Sequence, residues 1–311
     1  MFLQVDSLKK KYGSKLVLDN ISFNQKEGEI ISLIGTSGIG KSTLLKCLAG
    51  LCDTNSGRII LDRNEIHDID ANKRKISYVF QESPLFPHMN VLQNILFNMK
   101  EHDQNRLNFL LEKTELENLI NRFPYELSGG ENQRAAVVRS LIRNPDLLLL
   151  DEPFSNLDTV SKKYVKEIVF EIIKESNITT IIVNHDIEES LEISDRIMII
   201  NFGKIDAIDT PENIYKNPKN IETAKLFGDV TSLKLDNKRL HIRPENIKIV
   251  EKSPYNIEVK DSFYLGEKYR ISAKLGDDIF NLYHNTNLNQ GENLYIDFNK
   301  EDILDFQFFY L

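Results

Sequence analysis

Gly35-Thr36-Ser37-Gly38-Ile39-Gly40-Lys41-Ser42-Thr43 decides the fold, because this glycine-rich stretch lies between a strand pattern and a helix pattern. An apolar run at residues 30–34 precedes it, and leucines at positions 44, 45, 48 and 51 follow it with the spacing of one helix face. Such a turn leaves backbone N–H groups pointing into one space, where the helix dipole also attracts phosphate. Lys41 can reach the β- and γ-phosphates, and the Ser42 hydroxyl can ligate Mg²⁺. The stretch therefore predicts a nucleotide site rather than a glycine-rich turn that matches G-x-x-x-x-G-K-[ST] by accident.

The composition is that of an ordinary globular protein with room for two domains. The 311 residues are 41% hydrophobic and 28% charged, with a formal net charge of −8. An acidic balance argues against a protein that wraps nucleic acid. Cys47 and Cys52 lack the spacing of a zinc site or a disulfide framework, so we expect ordinary core or flank thiols in a reducing compartment. No signal peptide or membrane-spanning run is recognisable, which predicts a cytosolic chain unless another subunit holds it at a membrane.

Alternating residues before the glycine-rich stretch predict an antiparallel β layer. The alternation runs through residues 2–5 and again through residues 16–23. Tyr12 lies in the turn between these two strands. Its ring can serve as a flat surface on which adenine stacks, or it can be an ordinary surface aromatic.

A second anion-binding helix start is predicted at Leu127-Ser128-Gly129-Gly130. Taken alone, Ser-Gly-Gly before a helix is a plain N-cap. One phosphate group is rarely bound by two such helix starts from the same chain. We therefore expect this one to close over a nucleotide that a second copy of the chain holds.

Acidic residues follow a strand that is buried on both faces. The run at residues 146–150 ends in Asp151 and Glu152, at the edge where open α/β sheets bind ligands. Asp151 can hold Mg²⁺ through water, and Glu152 can polarise an attacking water. His185 follows the next buried strand, which favours a γ-phosphate contact over a structural histidine. Asp158 is predicted to cap the helix that begins near residue 159.

Two further regions are expected from the hydrophobic pattern. Residues 91–99 and 106–120 have helical spacing, in a helical subdomain at about residues 82–143. After Gly228 the pattern changes to short alternating segments, which predict a small β-barrel. The expected domains are therefore residues 1–228 and residues 229–311.

Five separated pieces resemble the ATP-binding subunits of ABC transporters, in order and spacing. They are residues 35–42, Gln81, residues 127–130, residues 147–152 and Asn184-His185-Asp186. The resemblance implies an α/β P-loop NTPase fold: a mixed sheet, an antiparallel β subdomain and a helical subdomain. Arg243-Pro244-Glu245 and Tyr264-Leu265-Gly266 resemble the TOBE domain, an oligonucleotide-binding-type barrel found on importers. Glu131, Asn132 and Asn184 depart from the commoner family residues, and none of these changes removes a ligand.

The resemblance also implies roles for individual residues. Tyr12 would stack on adenine, and Gln81 would touch Mg²⁺ and sense the transport subunit. Glu152 would be the catalytic base, with Lys41 and His185 beside the transferring phosphate. Asp158 would lie in the turn that reaches across the dimer. The cofactors are then ATP and Mg²⁺.

The implied partners are a second copy, which sandwiches two ATP molecules head to tail, and membrane permease subunits. Each phosphate loop would face the partner copy's Ser-Gly-Gly turn, and the segment from Gln81 to about Met99 would contact the permease. A solute-binding protein would act indirectly, nucleic acid would not bind, and the chain would lie peripherally on the cytoplasmic membrane face. The tail favours ferric iron or another inorganic ion as cargo, with polyamines, oxyanions or sugars as alternatives. The rival classes are a soluble ABC ATPase acting on DNA or ribosomes, and a regulatory module with a vestigial ATPase.

Overall fold

The computed structural model describes residues 1–81, 85–235, 238–304 and 306, and these form two compact units. The units are Met1–Pro211 and Glu212–Leu311, so the chain divides earlier than the expected boundary after Gly228. The buried Arg243 guanidinium explains this difference, since it donates to the carbonyls of Ala224 (2.8 Å) and Gly228 (3.0 Å) and ties residues before 229 to the second unit. The assignment of the domains as residues 1–228 and 229–311 stays a prediction.

Strands of the first unit form an antiparallel sheet and a mostly parallel sheet. In chain order they are β1 (Leu3–Tyr12), β2 (Lys15–Gln25), β3 (Ile30–Ile34), β4 (Ser56–Leu61), β5 (Asn64–Glu65), β6 (Ile76–Val79), β7 (Leu147–Asp151), β8 (Thr179–Val183), β9 (Arg196–Asn201) and β10 (Lys204–Asp209). The antiparallel sheet has the order β2-β1-β4-β5, as the alternation before the glycine-rich stretch predicts. The other sheet has the order β10-β9-β3-β8-β7-β6, and only β10 is antiparallel to its neighbour among these described strands.

Helices lie between the strands and after them. In chain order they are α1 (Lys41–Ala49), α2 (Val91–Ile95), α3 (Gln104–Lys113), α4 (Gly129–Leu141), α5 (Thr159–Glu175), α6 (Ile187–Ile193), α7 (Pro211–Lys216) and α8 (Ile221–Leu226). Two of them are shorter than their hydrophobic patterns predict, since α2 ends before residue 99 and α3 before residue 120. Asn98 and Glu115 adopt φ angles of 56° and 53°, which a continuing right-handed helix does not allow.

The mostly parallel sheet is buried between two apolar cores. Along β7, Leu147 and Leu149 face the core that contains α1 and the antiparallel sheet. Leu148 and Leu150 face the opposite core, which contains α4 and α5. Side chains alternate along a strand, so a run of four leucines fills both sides, and each contributes about 1.5–3 kcal/mol of burial. The sheet edge that carries the acidic residues is therefore held firmly.

The second unit contains an antiparallel β structure packed around an apolar core, beside a smaller apolar cluster. Its strands are β11 (Thr231–Leu235), β12 (Lys238–Ile242), β13 (Lys248–Val250), β14 (Tyr255–Tyr264), β15 (Tyr269–Leu275), β16 (Asp278–His284) and β17 (Asn293–Asp297). β11 and β12 form a hairpin, and the others form a sheet of order β13-β17-β14-β15-β16. Leu233 of the hairpin packs with Ile257 and Ile271 of the sheet, which confirms the prediction of a small barrel-like domain.

The closing run at residues 306–311 is rich in aromatic residues, which predicts a core or dimer contact rather than a membrane anchor. Phe306 packs against Ala224 and Leu304, and residues 307–311 lie outside the described residues. No helix among residues 1–81, 85–235 and 238–304 has the length and apolar character needed to cross a bilayer.

Candidate nucleotide-binding site

The turn between β3 and α1 is shaped by glycine. Gly35, Gly38 and Gly40 have φ angles of 158°, 76° and 112°, a region that other residues rarely adopt. A Cβ atom at Gly35 would lie 2.5 Å from the Ile200 carbonyl oxygen, so the chain can pass there only without a side chain. Gly40 is the N-cap of α1 and offers no side-chain acceptor. The first N–H groups of α1 are thus left for an external anion, which fits a phosphate.

Lys41 is folded back over this loop. Its side chain is 5% exposed, and the ammonium donates to the carbonyl oxygens of Gly35 (2.7 Å) and Thr36 (3.1 Å). Burial lowers the pKa of Lys41, and the carboxylates of Glu152 and Asp151 oppose that shift. The Lys41 ammonium therefore lies close enough to the carboxylates of Asp151 and Glu152 to interact with their charges.

The Asp151 carboxylate accepts hydrogen bonds from two hydroxyl groups, one at each oxygen. The Ser42 hydroxyl donates to Oδ1 at 2.9 Å, as expected for two residues that share a cation. The Tyr78 hydroxyl donates to Oδ2 at 2.7 Å. Burial and this hydrogen bond raise the pKa of Tyr78, so the phenol stays protonated. These hard oxygen donors fit Mg²⁺, which prefers carboxylates and hydroxyls.

Tyr78 is a residue that the sequence analysis missed. It lies three residues before Gln81, on the strand that neighbours β7. The parallel register pairs Tyr78 with Leu149, two residues before Asp151. Pairing of these two strands is the signal that would have placed the phenol near the carboxylate, and it is not readable from either segment alone.

Glu152 connects two side chains that are distant in sequence. Gln81 Nε2 donates to Glu152 Oε2 at 3.0 Å, and His185 Nε2 lies 2.6 Å from Glu152 Oε1. Glu152 itself has a φ angle of 49°, and its N–H donates to the Val183 carbonyl at 3.2 Å. A left-handed conformation costs about 1–3 kcal/mol at a residue other than glycine, and such strain is typical of functional sites. The backbone therefore directs this carboxylate toward its two partners.

Parallel strands explain why these residues converge. β3, β8, β7 and β6 lie side by side and run in the same direction, so their carboxyl ends share one edge of the sheet. Gln81 follows β6, Glu152 follows β7 and His185 follows β8. The glycine-rich loop follows β3 at the same edge. This is where open α/β sheets place ligands.

The Ser-Gly-Gly turn is both a helix cap and an accessible helix start. The Ser128 hydroxyl accepts from the Glu131 N–H at 3.3 Å, and Glu131 Oε2 accepts from the Ser128 N–H at 2.7 Å. This capping box lowers the pKa of Glu131, chiefly through the backbone N–H of Ser128. Within the described part of the chain, a Cβ atom at Gly129 would have one neighbour within 4 Å, Leu157 at 3.8 Å. The turn therefore has space in front of it.

Asp158 caps α5 as predicted. Its Oδ1 accepts from the N–H groups of Val160 and Ser161, both at 3.1 Å. Gly130 of α4 faces this helix, since a Cβ atom there would lie 3.6 Å from Val165. The starts of α4 and α5 are thus neighbours in the fold.

Tyr12 lies at the end of β1, next to the first turn of α1. Half of its side chain is exposed, and the Lys10 ammonium lies 4.8 Å from the ring centroid. Burial, followed by the neighbouring Cys52, raises the pKa of the Tyr12 hydroxyl, and the nearby Thr43 opposes this shift. Thr43 belongs to the glycine-rich stretch, so the ring and the phosphate loop are adjacent.

A glycine-rich cradle on a parallel sheet, with a buried lysine and paired strand-end acids, defines a P-loop ATPase. Comparison with known proteins agrees with this class. The model of the family described as "ABC transporter" matches residues 18–155. A solved ATP-binding cassette, described as a dimeric post-hydrolysis state bound to ADP and Pi, is similar with a TM-score of 0.59 and 29% identity. That similarity covers 67% of this chain and 98% of the other.

Two of the similar proteins are described as import ATP-binding proteins. The chain is 34% identical to the spermidine/putrescine import ATP-binding protein PotA of Bacillus thuringiensis (strain Al Hakam), over 96% of this chain and 97% of that protein. It is 39% identical to the Fe(3+) ions import ATP-binding protein FbpC of Haemophilus influenzae (strain 86-028NP), over 81% of this chain and 75% of that protein. The chain belongs to the ABC transporter family, as an ATP-binding, ATP-hydrolysing subunit of the importer type.

Proposed function

We propose that two copies of this chain close head to tail over two ATP molecules and drive solute import through membrane permease subunits. The observation that carries the proposal is the cluster in which Glu152 contacts both Gln81 and His185. This cluster shares a sheet edge with the phosphate loop. The chain would act as a peripheral protein on the cytoplasmic face of the membrane, and a solute-binding protein would deliver cargo to the permease without touching this chain.

The chemistry assigned to the site is mostly positioning and charge neutralisation. Glu152 polarises the attacking water, and His185 contacts the γ-phosphate. Lys41 leaves the loop carbonyls and neutralises the β- and γ-phosphates. Mg²⁺, when bound by Ser42 and Asp151, would supply charge stabilisation between the phosphates. These groups surround the charge that develops on the transferring phosphoryl group.

The remaining site residues are proposed to bind ATP or Mg²⁺ without taking part in the chemical step. The Tyr12 ring is proposed to stack on adenine. Gln81 is proposed to reach Mg²⁺ from the position in which it now holds Glu152. Ser128, Gly129 and Asp158 are proposed to act on the ATP of the partner copy. The accessible helix start at Gly129 supports this assignment.

The proposed catalytic base is tested by Glu152→Gln. This variant is expected to bind ATP as the wild type does and to lose about 10²–10⁴-fold in turnover, because the water loses its polarising carboxylate. Steady-state hydrolysis and equilibrium ATP binding measure the two effects. The matched control is Glu117→Gln at an exposed position, which should hydrolyse ATP normally. Turnover near the wild-type rate in Glu152→Gln would remove Glu152 from this role.

A groove beside β6 supports a permease contact. A cavity of about 640 Å³ is lined by aromatic and cationic side chains, among them Phe86, Phe97, Arg139 and Arg143. The Phe86 and Phe97 rings lie 4.5 Å apart, and Arg143 donates to the Phe97 carbonyl at 2.7 Å. This chemistry suits a short helix that carries apolar and acidic side chains. Of the segment from Gln81 to Met99 expected to contact the permease, residues 82–84 lie outside the described residues.

The permease contact is tested by Phe97→Ala. Capture of the membrane permease subunits is expected to fall about tenfold or more, because a central aromatic anchor is lost. ATP binding by the isolated chain should not change. Phe202→Ala, at an 86% exposed hairpin tip, is the matched control. Unchanged capture by Phe97→Ala would argue against this groove.

The cargo is proposed to be a cation, with ferric iron as the prediction from the tail and polyamines as the alternative. Similarity to the ferric iron import protein supports the first, and near-full-length similarity to the spermidine/putrescine import protein supports the second. The experiment is uptake of labelled ferric iron and of labelled spermidine by cells with the wild-type chain or Lys41→Ala. The cargo is the solute whose uptake depends on Lys41. If the uptake of neither ferric iron nor spermidine depends on Lys41, both proposed cargoes are excluded.

A further inference from the structure

The two cysteines meet beside the proposed adenine surface. Cys47 lies in α1 and is 1% exposed, while Cys52 lies just beyond the helix and is partly buried. Gly50 caps the helix with a φ of 74° and reverses the chain, so that residues five apart in sequence come together. Their sulfur atoms are 3.3 Å apart. The structure therefore contains a pair of adjacent thiols where the sequence suggested two ordinary core or flank thiols.

The surroundings of this pair favour one thiolate. Lys10, Lys46 and Arg74 carry positive charge near the sulfur atoms. Hydrogen bonding from Cys47 lowers the pKa of Cys52 to about 6, and the nearby lysines act in the same direction. The same contact and burial raise the pKa of Cys47. Cys52 is thus the accessible nucleophile, and Cys47 is the buried thiol that can resolve it.

Cys52 also touches the proposed nucleotide site. Cys52 and Tyr12 shift each other's pKa, since Cys52 raises that of Tyr12 and Tyr12 lowers that of Cys52, and Thr43 of the phosphate loop also acts on the pKa of Tyr12. The Lys10 ammonium lies over the Tyr12 ring, and it donates to the Asp53 carbonyl at 2.5 Å, one residue beyond Cys52. A movement of Cys52 is therefore expected to change the position of the Tyr12 ring.

We propose that Cys47 and Cys52 form a reversible disulfide in response to peroxides, and that its formation weakens ATP binding. The Cys52 thiolate attacks a peroxide oxygen, the O–O bond breaks, and a sulfenic acid and an alcohol or water result. The Cys47 sulfur then attacks the sulfenic sulfur, the S–O bond breaks, and water leaves. Two thiols are oxidised to one disulfide, and one peroxide is reduced by two electrons.

The structural consequence follows from bond length. A disulfide brings the sulfur atoms from 3.3 Å to about 2.0 Å, and Cys47 is fixed in the core. Cys52 must therefore move toward the helix. Its sulfur also loses the negative charge of the thiolate, so its interaction with the Tyr12 hydroxyl weakens. Because this interaction and the ring position are affected, ATP affinity should fall about three- to tenfold.

The experiment uses the full chain treated with hydrogen peroxide. Intact mass should fall by two hydrogen atoms, free thiols should disappear, and dithiothreitol should restore both. ATP binding, measured calorimetrically with magnesium, should weaken about three- to tenfold on oxidation and recover on reduction. Cys52→Ala, at the partly exposed position, should keep its affinity after peroxide treatment. Cys47→Ser serves as a second variant and should also form no intramolecular disulfide.

This inference rests on the proposed role of Tyr12 as the adenine surface, and the measurements separate the two. Failure of the reduced wild type to bind ATP would refute the proposed function, whatever the thiols do. Absence of the disulfide after peroxide treatment would overturn the inference alone. Formation of the disulfide with unchanged ATP affinity would also overturn it, as would equal weakening in Cys52→Ala.

Discussion

At the scale of single residues, the Asp151 carboxylate shows how the site is assembled. One oxygen accepts from Ser42, a residue of the phosphate loop, and the other accepts from Tyr78, a residue of the neighbouring strand. A carboxylate with both oxygens hydrogen-bonded cannot rotate freely. Its orientation is therefore fixed before a cation arrives, which is the arrangement that preorganised sites use.

Tyr78→Phe tests this positioning. The variant keeps the ring and removes only the hydroxyl, so the magnesium concentration that half-saturates ATP hydrolysis should rise about three- to tenfold, while turnover at saturating magnesium changes little. Magnesium titrations of hydrolysis and of metal-dependent nucleotide binding measure the shift. Tyr125→Phe, at a 77% exposed residue, is the control. An unchanged magnesium dependence would show that Tyr78 does not orient Asp151.

The sequence could predict which residues lie at this site, but it could not predict their backbone conformation or their contacts. The strand-end acids and the histidine follow buried runs, so their position at the sheet edge could be predicted. The positive φ angle of Glu152 could not, because glutamate has no local preference for it and only the surrounding fold imposes it. The contact between Glu152 and Gln81 likewise depends on how β6 pairs with β7.

At the scale of elements, α4 reconciles two interpretations of the Ser-Gly-Gly turn. The sequence suggested either an N-cap or an anion-binding start. The Ser128 side chain caps the helix with Glu131, while Gly129 leaves the space in front of the helix open. A hydroxyl that accepts from a backbone N–H still has its own hydrogen to donate. The cap is therefore compatible with the proposed contact to a phosphate oxygen.

Ser128→Ala should separate these two contributions. Loss of the cap should lower the free energy of unfolding by about 1 kcal/mol, as measured by chemical denaturation without nucleotide. Glu131→Gln should retain most of that stability, because glutamine can also complete a capping box. If Ser128 served only as a cap, both variants would hydrolyse ATP in proportion to their folded fraction. A larger loss of hydrolysis in Ser128→Ala would support the proposed phosphate contact.

Helix lengths show where hydrophobic periodicity stops being informative. The apolar spacing continues past the ends of α2 and α3 because the later residues still pack into the same core. Leu116 is fully buried although it lies beyond α3. Hydrophobic periodicity indicates which residues are buried, not which residues are helical. A residue with a left-handed conformation, such as Glu115, can end the helix while its neighbours stay buried. Periodicity therefore located the core residues correctly and the helix ends incorrectly.

At the scale of the whole molecule, the proposal depends on a second copy. The first copy supplies the phosphate loop, the cation-binding oxygens and Glu152, and the Ser-Gly-Gly turn is proposed to serve its partner. Similarity to a dimeric ATP-binding cassette is consistent with such a pairing. The sequence could suggest a partner copy from the presence of two anion-binding turns in one chain. It could not give the pairing itself, since no local pattern encodes how two surfaces meet.

Gly129→Asp provides the sharpest test of the pairing. Among the described residues, a Cβ atom at this position has one near neighbour, Leu157 at 3.8 Å, and an aspartate in the first turn of a helix is favourable to its dipole, so the chain should fold at least as well as the parent. The new carboxylate would face the γ-phosphate of the partner's ATP. In a Glu152→Gln background, which should trap the closed pair, sedimentation with ATP and magnesium is expected to show dimers for the parent and monomers for the double variant.

Monomers alone would not prove the point, so ATP binding must be followed in the same samples. Each copy binds ATP through its own phosphate loop, and Gly129→Asp should leave that affinity unchanged. Gln104→Asp, at the exposed start of α3, adds the same charge to another first turn and should still dimerise. Dimers of Gly129→Asp with bound ATP would mean that the turn does not face a phosphate, and the head-to-tail arrangement would then be wrong. Loss of dimers with ATP binding retained would support the arrangement, because the added carboxylate repels an anion that another chain brings to this helix start.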